Sequence, residues 1–159
     1  MTMGTGYPIA AEAFDFEVFQ LACTFAASRE LSRLSRKRPG VARLCGLFEL
    51  SEAARRLVSA AAMVRSALDT WSTSRRRMLD DNVGELIADM TRRTTKKPLR
   101  FREACNKILH AEVIDLMELS EGHQLKLSYK VTLQGQKGKS QWQAKLDVLA
   151  FVEVASRLA

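Results

Sequence analysis

The chain of 159 residues is 47% hydrophobic and carries only 8 glycines and 3 prolines, enough apolar material for one domain that buries a core without disulfides or metal. No run approaches the roughly 18–20 apolar residues of a membrane span, and the start, MTMGTGYPIAAEAFDFE, lacks the basic region of a secretory signal. The expectation is a helix-rich, cytoplasmic, single-domain protein with no membrane segment, whose net charge of +7 suits an anionic partner.

From Ala10 to about Arg36, apolar residues recur at helical spacing (Phe14, Val18, Leu21, Phe25). Arg36, Lys37 and Arg38 suit the negative pole of that helix, which Pro39–Gly40 stops. Leu47, Leu50, Ala54, Leu57, Ala61, Val64, Leu68 and Trp71 then alternate steps of three and four, the seam of a bundle helix whose small residues admit a close neighbour. TWSTSRRR interrupts the chain. Leu79, Val83, Leu86 and Met90 predict a third helix, capped by Asp80, Asp81 and Asn82. TRRTTKKP, residues 91–98, reads as a basic connector, with Pro98 in the first turn of a fourth helix running to about Ser120.

The period then changes from 3.6 to 2. Leu125, Leu127, Tyr129, Val131 and Leu133 alternate with polar residues, as do Trp142, Ala144, Leu146 and Val148, and QGQKGKS supplies the turn between them. This is a β-hairpin with one apolar face. A lone hairpin is marginal, so that face must pack on the bundle or on another chain. Asp147 is placed to cap a last helix through Leu158. The predicted fold is mainly α: a four- to five-helix bundle over about residues 10–120, with a C-terminal β-hairpin and short final helix over about 123–158, all within one domain, 1–159.

Two segments concentrate the positive charge. Residues 29–43 hold Arg29, Arg33, Arg36, Lys37, Arg38 and Arg43 against Glu30, and residues 92–102 hold Arg92, Arg93, Lys96, Lys97, Arg100 and Arg102 with no acid. Arginine's planar fork matches phosphate oxygens and carboxylates. The one aromatic residue in these runs, Phe101, falls on the apolar arc of its helix, so a single-strand stacking platform is not indicated there. On a wheel of 100° per residue, Phe101, Ala104, Cys105, Ile108 and Leu109 share one arc, while Arg102, Glu103, Asn106, Lys107 and His110 fall opposite. Arg102, Asn106 and His110 are spaced i, i+4, i+8, so neighbours along that stripe can touch. The chemistry such a stripe offers is acid–base work by an imidazole, orientation by an amide, and stabilisation of developing phosphate charge by guanidinium. The bland alternative is the solvated face that every amphipathic helix has.

CNKILH, Cys105 to His110, resembles the Arg–polar–x–x–x–His signature of the HEPN superfamily. Asn106 and His110 match it; Cys105 stands at the arginine position, and Arg102, one turn from Asn106, is the nearest substitute. The resemblance covers about six motif positions and the general architecture. It implies an all-helical, often dimeric protein and, in the active members, a metal-independent endoribonuclease of toxin–antitoxin or phage-defence systems. His110, Asn106 and Arg102 would then be catalytic, with no cofactor and no metal, and Lys96, Lys97, Arg100 and Lys107 would hold RNA. The hairpin with Trp142-x-Ala144-x-Leu146-Asp147 is similar to that of uncharacterised bacterial proteins. The rival expectation is a non-catalytic interaction module (an antitoxin, immunity protein or complex subunit) acting as a homodimer or with a protein partner.

Other motifs exclude more than they suggest. Cys23, Cys45 and Cys105 form no CxxC pair and read as reduced, buried small hydrophobes. The first glycine of a GxxxxGK[ST] loop would fall at Leu133, so Gly135–Ser140 reads as a turn. Asp81, Glu85 and Asp89 read as a solvated acidic face rather than a cation site, and His123 as a surface residue.

Overall fold

A computed structural model describes residues 11–67, 77–91, 96–119 and 125–158. In chain order the elements are α1 (Ala11–Ser35), α2 (Pro39–Ala67), β1 (Asn82–Ile87), β2 (Lys97–Arg100), α3 (Phe101–Leu109), β3 (Val113–Leu119), β4 (Leu125–Lys137), β5 (Ser140–Asp147) and α4 (Val148–Ser156). The expected mainly-α bundle is overturned. The strands form one 5-stranded antiparallel sheet of order β2-β1-β5-β4-β3, with helices packed against it. Leu68, Trp71, Arg92, Arg93 and His123 lie outside the described residues, as do most of TWSTSRRR and half of the basic connector.

The helical layer begins as expected. α1 buries Phe14, Val18, Leu21 and Phe25 at helical spacing. Pro39, rather than only stopping α1, opens α2, where a missing N–H costs nothing and the fixed φ suits a helix. The two helices run as an antiparallel hairpin tied by Arg56, which donates to Glu17 at 2.9 Å in a partly buried pair. Ala53, Leu57, Ala60, Ala61 and Val64 of α2 are buried. The stretch from Pro39 to Glu52 buries no residue, so the hairpin's far end stands clear of the core.

The predicted third helix is strand β1, and the reason lies in Gly84. A register shift between Asn82 and Glu85 marks a bulge. The extra residue turns Val83 and Leu86, three apart, onto one face, where both are buried. Steps of three and four across a bulge imitate helical spacing. A Cβ on Gly84 would strike the Lys145 backbone of β5, and its φ is +157°, so the close approach of β1 to β5 requires glycine. Pro98 sits in β2, an edge strand, where its lack of an N–H breaks no ladder.

The predicted fourth helix splits. α3 spans 9 residues. Its start is satisfied by backbone rather than by a side-chain cap: Phe101 N donates to Asp81 O at 2.9 Å and Arg102 N to Leu79 O at 3.0 Å. It ends at His110, and Val113–Leu119 becomes edge strand β3, paired to β4. The β-branched Val113 and Ile114 favour that change. The hairpin forms as expected, with Lys137 opposite Ser140 and Gly138 at φ +63° in a two-residue turn.

Core and cap complete the frame. The inward face of β4 and β5 (Val131, Leu133, Trp142, Ala144, Leu146) packs under the helices, and Phe151 of α4 stacks on Phe101 of α3 with centroids 4.7 Å apart. Asp147 caps α4 as expected, accepting from Leu149 N at 3.0 Å and Ala150 N at 3.1 Å. Buried Ser28 of α1 accepts from Leu127 N at 2.8 Å, pinning helix to strand. Outward, Lys130, Gln134 and Lys145 are exposed.

Candidate nucleic-acid interface

The amphipathic reading of α3 holds. Phe101, Ala104, Cys105 and Ile108 are buried, Arg102 and His110 are exposed, and Asn106 and Lys107 are half-buried. Cys105 is sealed in the core, and burial pushes its thiol up to about 12. The other two cysteines depart from expectation: Cys23 is exposed and Cys45 half-buried.

The structure supplies a guanidinium beside the motif. Arg65, near the end of α2, donates to the Asn106 side-chain oxygen. Asn106 and His110 are a turn apart, with His110 N donating to Asn106 O at 3.1 Å. Arg65 thus touches Asn106, while His110 and Arg102 lie a turn along α3 on either side of it. A cleft of about 280 Å³ at the Gln134–Gln143 end of the sheet includes none of these residues.

Several nominated cations have local work. Lys96 pairs with Glu85 at 3.0 Å, Lys97 with Glu103 at 3.6 Å, and Arg100 donates to the Asp80 carbonyl at 2.6 Å. Lys107 differs. Its ammonium lies 4.0 Å from the centroid of the Trp142 ring, a cation–π contact. Burial pulls its pKa below the ordinary lysine value; Glu103 opposes the shift, and the positive charges of Lys137 and Lys97 add to it. Lys107 thus feels two further cations, one from β2 and one from the end of β4.

This arrangement depends on Gly135. A Cβ there would strike the Trp142 ring and lie 2.9 Å from the His110 carbonyl. Glycine lets the indole lie flat against β4, beneath Lys107 and beside the end of α3. Sequence reasoning missed Arg65, Lys137 and Trp142 as parts of this face. The signals present were the basic turn QKGK and the inward position of Trp142; the Arg65 contact spans 41 residues and has no local signature.

The acidic stripe does not exist as a helical face: Asp81 pairs with Arg157 at 2.8 Å and Glu85 with Lys96. Among the described residues no group of three His, Cys, Asp or Glu could hold a metal ion, and no helix is long and apolar enough to cross a membrane. No family model matches the chain, and no curated protein or solved structure matches it significantly.

Proposed function

We propose that the protein binds RNA or another phosphate-rich polyanion through the face formed by α3 and the β4–β5 turn. The observation that carries this reading is the half-buried Lys107, whose ammonium lies 4.0 Å from the centroid of the Trp142 ring and on which the positive charges of Lys137 and Lys97 act. Crowded cations repel one another, and a phosphate oxygen relieves that repulsion, so the site is built to gain from an anion. Asn106 and His110 share the polar side of α3 with Lys107, and Arg65 reaches Asn106 there. If bound RNA is also cut, His110 acts as general acid or base on the 2′-hydroxyl and Arg65 steadies the phosphate charge, with no metal required.

The test uses purified full chain and a labelled RNA of mixed sequence in EDTA, with Lys107→Glu and His110→Ala variants. Binding should weaken about tenfold or more in Lys107→Glu and fall steeply with salt. Equal binding by wild type and Lys107→Glu defeats the reading. Cleavage by wild type that His110→Ala abolishes adds the endoribonuclease activity; binding without cleavage leaves a polyanion-binding module. A second reading, a protein-interaction module, is favoured by the apolar outer face of α1 and α2.

A further inference from the structure

α1 is apolar on two sides. Its buried residues, Phe14, Val18, Leu21 and Phe25, define one arc. Phe16, Cys23, Ala27 and Leu34 fall roughly 180° away on a wheel of 100° per residue. Phe16 and Phe19 are 59% and 60% exposed. On α2, Leu44 and Phe48 also point away from the core arc, and they are 50% and 60% exposed. The two outer stripes meet in a groove of about 470 Å³ lined by Ala27, Leu31, Val41, Leu44 and Phe48. Glu49 forms part of its wall, and the Oε1 atom of that side chain is buried without a hydrogen-bond partner among the described residues.

The hairpin is also an electric dipole. From Ala11 to Ser28, α1 carries the exposed Glu12 and Asp15, with Glu17 neutralised by Arg56 of α2, whereas residues 29–43 carry Arg29, Arg33, Arg36, Lys37, Arg38 and Arg43 against Glu30, which pairs with Arg33. A surface that is apolar along its middle, acidic at one end and basic at the other is complementary to itself turned end for end. We propose that the outer face of the α1–α2 hairpin docks the same face of a second copy in antiparallel, two-fold fashion. The basic tip of each chain lies against the acidic first turns of the other. The symmetry is the commonest for soluble oligomers, and the product is a layered particle in which sheet, helices, helices and sheet follow one another. An anionic lipid surface fits less well, because Glu12 and Asp15 lie at one end of the apolar stripe and Glu49 and Glu52 at its groove.

The experiment is sedimentation equilibrium of the full chain, across concentrations up to roughly 100 µM. Wild type should sediment at twice the chain mass, and Phe48→Glu and Phe16→Glu as monomers with unchanged melting. Leu149→Glu, at an exposed site on α4 away from the hairpin, should remain dimeric. Asp15→Lys and Arg38→Glu should each weaken the dimer about tenfold, and the two together should restore it. Four results overturn the proposal: a wild-type monomer throughout; a dimer that Phe48→Glu and Phe16→Glu leave intact; charge reversals that do not compensate; or a monomer that binds phosphatidylserine vesicles through Phe48. The Lys107 face lies outside the docking surface, so Lys107→Glu should dimerise normally, and the outcomes for RNA and for dimerisation separate.

Discussion

Cys105 illustrates what a single position can and cannot do. It occupies the arginine position of the motif, but it faces the core between Ala104 and Ile108 and is 2% exposed. A guanidinium there would be buried with its charge uncompensated. Cys105→Arg should therefore destabilise the fold by about 3–5 kcal/mol in urea unfolding and restore no cleavage; a stable variant would contradict this placement. A guanidinium does reach Asn106, but it comes from Arg65 on another helix. Position on the wheel made Arg102, Asn106 and His110 readable as the polar side of α3, because burial follows the 3.6-residue period within a single helix. The partner of Asn106 was not readable, because it is set by the packing of α2 on α3.

At the scale of elements, α1, the second half of α2, the β4–β5 hairpin and the Asp147 cap were legible from their periods and cap residues, whereas Leu47 and Leu50, read into the α2 seam, are exposed and the start of α2 at Pro39 read as a stop. The errors cluster where a local rule has two solutions. Leu79, Val83, Leu86 and Met90 fit a helix and equally fit a bulged strand, and what decides is the pairing of β1 with β5, which begins at Gly84 and Leu146. Gly84→Ala should cost more than about 2 kcal/mol, read as a lower Tm, because the methyl group meets backbone that cannot yield. Were β1 a helix, the same substitution would stabilise by up to about 1 kcal/mol, so the sign alone tests the assignment. Pro98 was ambiguous in the same way, since helix starts and edge strands both tolerate a missing N–H.

For the whole molecule, the sheet was hidden because only two of its five strands announce themselves by alternation. β1 is bulged, β2 has four residues, and β3 carries its own register shift between Asp115 and Met117. The assembled core nonetheless converges on a few large side chains, and Trp142 touches both the structure and the proposed site. Trp142→Ala should cost about 3–5 kcal/mol and weaken polyanion binding through Lys107. Trp142→Phe keeps an aromatic face under the ammonium, and should return most of the binding at lower stability.

The strand order has a consequence for synthesis. β5, which joins β1–β2 to β4–β3, is the last of the five described strands to be made. Until it leaves the ribosome, β1 has only the short β2 for company, and the β3–β4 hairpin ends in an open edge. The nascent protein therefore exists as two unjoined half-sheets beneath a helical hairpin already made. Closure is a late, long-range event. A chain stalled before Ser140 would expose two sticky edges together with an apolar helix face, the kind of species that folding helpers bind and proteases clear.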